Sequence, residues 1–444
     1  MLSNQISEAN ALSKIEDPVN RSCILPSVAM VISQLRHVSK NDRAKNTDFE
    51  TKTLAIDQNR RTTATPKRLG SQVWIVPGKT ENLPDVPLCV ERKCSIQIAN
   101  TNPSTIAKRI KYCLQRISAV VSKYSKDKQD VKAKVTNIDQ VIYVIKLYRV
   151  LRMNAEVETE NYDVMVEVQR RQGDALSFCR DCKTILHATR FNNHTQEDFG
   201  SFELCAQNMF LTPTIPSSFS YKHSDVVIEN SKTIHQSCLN SFRDIELMLK
   251  EENMLGEILL GMECLRCLTD PSFSLKMAVA AADIIPQVII ERVRDVLLKT
   301  RIGSYRNYGV NGDDGGRRTS LKEDIHTEIL VHHQAICCLC NILSVVNPSS
   351  LQKNSMLVSI CNDLIPTLLN DLRRASSAPH IAYFSCKCLS AMLRMNNHAY
   401  CSVREQLLKL GALTVIGKTQ HIGKCQHALL EEESGLVFSA LLVQ

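Results

Sequence analysis

His333, Cys337 and Cys340 lie four and three residues apart in the string HQAICCLCNILS, His333 to Ser344. On a helix those offsets return to one face, and imidazole with thiolate is zinc-ligand chemistry. A structural zinc takes four ligands and usually bridges separate elements, and no fourth ligand stands nearby. The other reading is packing, because a free cysteine behaves as a small hydrophobe. A second string, CRDCKTILHATRFNNH, places Cys179, Cys182, His187 and His194 in the order C-x2-C-x4-H-x6-H. In a loop it would partly resemble a zinc knuckle, with a long last spacing and without the usual glycine. Read as a helix, the same residues bury Cys182 with Leu186. No βαβ pattern surrounds the dithiol to suggest redox work.

VPGKT (76–80) holds Gly-Lys-Thr but lacks the upstream glycine that shapes a phosphate loop. No Gly-x-Ser-x-Gly, His-Glu-x-x-His or kinase signature occurs. The expectation is therefore a non-enzyme without a cofactor. Three strings, RRTT (60–63), RRTS (317–320) and RRAS (373–376), set two arginines two residues before Ser or Thr, and TPKR (65–68) suits a proline-directed kinase. Thr63, Thr65, Ser320 and Ser376 are the candidate phosphorylation sites, and a basophilic kinase is a candidate partner. Each phosphate would add about −1.5 to −2 charges.

The elements that must position these groups follow from composition. The chain has 444 residues, 44% apolar, with 15 Gly, 14 Pro and only 5% aromatic. Few breakers and few aromatics favour helices. The formal charge of +8 is spread along the sequence instead of striped, so nucleic-acid binding is not expected. The start, MLSNQISEAN, lacks a secretory pattern, and the apolar runs are short, so neither export nor a membrane span is expected. A cytoplasmic protein follows, with cytoskeletal or nuclear association open, and most of its 18 cysteines stay reduced.

Residues 1–38 predict a short helical segment, and 39–101 a polar, disordered linker whose Trp74, in SQVWIV, could dock as a short strand. From 102 to 234 the spacing predicts helices, with degenerate repeats as one reading: Ile106, Ile110, Cys113 or Leu114, Ile117 and Val121 form one stripe after Asn102 and Pro103. NIDQVIYVIKLYRVLRM predicts another helix. From 235 to 444 the chain repeats itself. AAADIIPQVIIERV (280–293), CNDLIPTLLNDL (361–372) and LKLGALTVI (408–416) share a pattern, and Cys264-Leu265, Cys338-Leu339 and Cys388-Leu389 align in register. RIGSYRNYGVNGDDGGRRTS (301–320) is a loop insertion by composition.

AADIIPQVI, NDLIPTLL and LGALTVI resemble the second helix of armadillo repeats, and ICCLCNILS resembles the third. The resemblance implies an all-α, right-handed armadillo-like solenoid over 235–444. Its implied function is that of a scaffold binding partner proteins along the surface of the third helices. Asn341 matches the partner-binding Asn of that family, whereas Cys267 and Ala391 hold the place in the aligned helices. The alternative reading is a zinc-containing nucleic-acid-associated protein built on Cys179, Cys182, His187 and His194.

Overall fold

Alternation, not helical spacing, governs residues 120–172. In IYVIKLYRVL, Tyr143, Ile145 and Leu147 are buried while Val144 and Lys146 are only partly so, and Val164, Val166 and Val168 repeat the pattern. Period two with β-branched residues makes strands. The computed structural model describes Trp74, Val76, Thr80, Asn82, Leu83 and residues 93–124, 131–151, 162–190, 226–250, 254–299, 317–346, 355–394 and 398–442. All lie in one compact unit, Thr62–Gln444.

A five-stranded antiparallel sheet opens this unit: β1 (Ser95–Ile98), β2 (Val120–Tyr124), β3 (Val131–Thr136), β4 (Ile142–Leu151) and β5 (Tyr162–Gln172). Its order is β1-β5-β4-β3-β2. Register is set by the buried alternation, with Ile145 opposite Val168 and Leu147 opposite Val166. Helices α1 (Pro103–Arg116) and α2 (Ala175–Arg190) pack together, and their Ile106, Ile110, Leu114, Phe178 and Ile185 share one core with the strands. Fully burying each of these side chains is worth about 1.5–3 kcal/mol. Asn102 caps α1 by accepting from the Ser104 amide at 2.8 Å, and Pro103 fills the first turn, as the sequence predicts. Gly173, at φ +98°, turns β5 into α2; a Cβ there would stand 2.8 Å from Val141 Cα.

Ten further helices follow: α3 (Val226–Lys250), α4 (Leu255–Thr269), α5 (Leu275–Ile284), α6 (Gln287–Lys299), α7 (Arg317–Val345), α8 (Ser355–Arg373), α9 (Pro379–Arg394), α10 (His398–Lys409), α11 (Ala412–Gln426) and α12 (Ala428–Leu442). They form two ladders. One runs α4–α7–α9–α12 and the other α6–α8–α11, each helix touching the next. Pro286 separates α5 from α6, Gly411 at φ +71° separates α10 from α11, and Pro366 lies inside α8. The aligned segments therefore differ in where the helix breaks, since Pro366 sits within a continuous helix whereas Pro286 lies between two.

The aligned cysteines make the same contact twice. The Cys338 thiol donates to the Met262 carbonyl at 3.3 Å, and the Cys388 thiol to the Ile336 carbonyl at 3.8 Å. In each case the acceptor stands two residues before the aligned cysteine of the preceding helix. Cys264, Cys338 and Cys388 are all buried, and burial first of all pushes the Cys264 thiol up to about 12. These thiols are interior filler.

Helices dominate the described residues, which meets the all-α expectation at the level of helix content. Several finer expectations are corrected. The described part of the region predicted helical, 102–234, holds four strands, because residues with a helical stripe also alternate and share one core with α1 and α2. The linker at 39–101 ends in β1, and Trp74 is buried against Tyr124, ring centroids 5.7 Å apart, with Leu83 donating to the Arg149 carbonyl. Asp324–Val345 is long and apolar enough to cross a membrane, and 67% of its most apolar stretch is buried within the fold. The insertion at 301–320 ends as helix, since α7 begins at Arg317. The segment 1–38 and the rest of the insertion lie outside the described residues.

Candidate functional site

Two histidines 47 residues apart close the seam between sheet and helices. His380 stands in the first turn of α9, and His427 links α11 to α12; both are buried. His380 Nε2 lies 3.1 Å from the Thr136 carbonyl at the end of β3. A carbonyl only accepts, so Nε2 carries the proton. His380 Nδ1, 3.0 Å from His427 Nε2, must then accept, so His427 Nε2 donates. His427 Nδ1 in turn accepts from the Leu430 amide at 3.1 Å. Every ring nitrogen has one role, and only the neutral pair satisfies all of them.

The seam also completes a helix end. The first amides of α12 have no partner within the helix. Leu430 finds His427, and Leu429 donates to the Ser118 hydroxyl at 2.9 Å, across 311 residues. Ser118 is fully buried and held at φ +55°, a conformation a non-glycine residue adopts only when its surroundings impose it. Gln115 of α1 donates to the Lys424 carbonyl of α11. Gly423 lets α11 and α12 meet, because a Cβ there would fall 2.4 Å from the Glu431 amide nitrogen.

Burial, the first cause, lowers His380 to about 4, against the smaller raising effects of the Thr136 hydrogen bond and of Asp139. Burial and then His380 hold His427 well below the usual imidazole range. Asp139, in the β3–β4 turn, accepts from Ser177 at 2.6 Å and from Arg180 at 3.0 Å. Beside it Asn137 donates to Ser177 and Asp181 and accepts from the Val141 amide. Burial raises Asp181 to about 6, with the Asn137 bond the main opposing effect.

A third buried network joins α7, α8 and α9. Asp371 accepts from Ser385 at 3.0 Å and faces His332 Nε2 at 3.1 Å. The types are those of a hydrolase, but the carboxylate sits in the middle and the hydroxyl does not face the imidazole, so it is not an activated nucleophile.

The residues singled out in the sequence are not brought together. Cys337 lies 3.6 Å from His333 Nδ1, whereas Cys340 pairs with Cys388 on α9. On α2, Cys179 and His187 are exposed while Cys182 is buried among core residues, so burial separates the two thiols; His194 lies outside the described residues. Among the described residues no group of three or more His, Cys, Asp or Glu is placed to hold a metal. Asn341 donates to the Arg266 carbonyl at 3.4 Å, a contact within the helical array. Ser376 is exposed in the α8–α9 turn, whereas Ser320 belongs to the first turn of α7; Thr63 and Thr65 lie outside the described residues.

His380, His427, Ser118 and Asn137 carry no local motif. One signal was legible: HIAYFSCKCLSAML is apolar nearly all round, which marks a buried helix, and a histidine in it must find a partner. Compared with known proteins, the chain matches no family model, no curated protein and no solved structure.

Proposed function

We propose that residues 235–444 form an armadillo-like solenoid and that the protein is a non-catalytic scaffold for partner proteins. The observation that carries this reading is the repeated thiol-to-carbonyl contact, Cys338 to Met262 and Cys388 to Ile336, at two successive helix interfaces. A stack built from one supersecondary unit repeats its interface contacts, and such stacks present long surfaces to partners. Residues Val331–Cys340 of α7 are all buried, so the third-helix surface is covered there. The first helices of the array are more open. Val288 on α6 is 52% exposed and lines a groove of about 250 Å³ with Leu249, Glu246, Glu291, Arg292 and Asp295, and Leu247, next to Glu246 on α3, is 60% exposed. Exposed apolar side chains rimmed by charge suit a protein segment.

The test is quantitative affinity capture with the full chain and with the Leu247→Glu/Val288→Glu variant. Loss of a central apolar anchor costs about 2 kcal/mol, so a true partner should fall about thirtyfold. If no protein distinguishes the two chains, the scaffold reading through this surface is wrong.

A further inference from the structure

The excess charge of this chain is gathered on three helices. Helices α1, α2 and α11 together hold nine Lys and Arg against one Asp, a net +8, equal to the formal charge of the whole protein. The one acid, Asp181, is buried and held by Asn137. These helices are separated in sequence but not in space: α1 touches both α2 and α11, and Gln115 ties it to Lys424. Lys108, Lys111 and Arg116 of α1, Lys183 and Arg190 of α2 and Lys424 of α11 are all exposed. Of the acids beside these helices, Asp139 is paired with Arg180 of α2 at 3.0 Å, and Asp174 accepts from the Ser177 amide at the start of α2.

We infer that this three-helix face binds the phosphate backbone of a nucleic acid. Spread charge in the sequence becomes a patch in the fold, which is the electrostatic footprint such binding needs. α1 has 14 residues and so runs about 21 Å; α2 packs against it, and α11 meets it at Gln115 near its end. Charge carried on three helices over that length exceeds the single groove an acidic peptide would fill. Only Tyr112 and Leu176 are exposed large apolar side chains on it, which is little to insert into a bilayer. Recognition rests on lysine and arginine charge, so it is independent of sequence.

The experiment measures fluorescence anisotropy of a labelled 20-base-pair duplex DNA with the full chain, and the same with a labelled RNA hairpin. Competitors are polyglutamate and vesicles of phosphatidylcholine with phosphatidylserine. Engaging about four phosphates predicts a roughly 100-fold loss of affinity between about 50 and 200 mM salt. Lys111→Glu/Lys183→Glu should weaken binding at least about tenfold. Lys232→Glu/Lys276→Glu, an equal charge change on exposed lysines of α3 and α5, should leave it within about twofold. Circular dichroism verifies that both variants fold. Equal losses in the two variants would assign binding to overall charge and overturn the proposal. Tighter binding to polyglutamate or to the vesicles than to either nucleic acid would overturn it in favour of that polyanion.

Discussion

Acidification should loosen the seam at His380, and by a calculable amount. The neutral relay fixes His380 Nε2 as donor to Thr136 and Nδ1 as acceptor from His427. A second proton on His380 would turn Nδ1 toward the Nε2 hydrogen of His427. His427 could yield only by moving its own proton to Nδ1, against the Leu430 amide. No arrangement of the charged pair satisfies all the bonds. The folded histidine titrates at about 4, below the ordinary 6.5 of an unfolded one. The unfolded chain therefore binds more protons between those values. Stability from this group is complete above pH 6.5 and declines as the pH falls toward 4. The loss is about 2 kcal/mol at pH 5 and about 3 kcal/mol below both values. Asp181 acts oppositely, since its carboxyl is raised to about 6 and gains stability as it protonates. Facing groups that also bear on His380 are His427, Asp139 and the buried His333 of α7. The comparison that isolates His380 is urea unfolding of the wild-type chain and His380→Gln at pH 7.5 and 5.0, followed by circular dichroism. Trp74, the only tryptophan, reports the sheet in the same experiment. Glutamine can donate to Thr136 and accept from His427 but does not titrate. The wild type should lose about 2 kcal/mol more than the variant on acidification. Superimposable pH profiles would refute the relay, as would nitrogen NMR showing either imidazole protonated at Nδ1 at neutral pH.

Two further outcomes follow from the same geometry. Asn137→Ala should cost about 3 kcal/mol, because it leaves the Val141 amide buried without its partner and Asp181 with only Arg180, and it should move the Asp181 carboxyl above about 6 in a carbon NMR titration. A basophilic kinase should modify Ser376, in an exposed turn, about tenfold faster than Ser320, whose helical turn must first open at about 1.4 kcal/mol; phosphopeptide mass spectrometry over time measures the ratio.

Local chemistry was legible in the residues themselves. Asn102 and Pro103 start α1 as their types demand, and the Cys-Leu pairs at 264, 338 and 388 are buried in register, because capping and helical burial depend on neighbours three or four residues away. The strands at 142–151 and 162–172 were not legible. Val141, Ile145 and Tyr148 fit a helical stripe as well as Tyr143, Ile145 and Leu147 fit a strand, and such apolar runs are ambiguous by periodicity alone.

The sequence by itself determined the predominance of helix, the capped start of α1 and the burial of the aligned thiols at 264, 338 and 388. Tertiary structure alone decided the strand for 142–151, the gathering of charge on α1, α2 and α11, and the relay from Thr136 through His380 to His427. The reason is distance along the chain. Hydrogen bonds spanning 244 and 311 residues, and cations on helices that meet only after folding, are set by packing and leave no mark on any short window of residues.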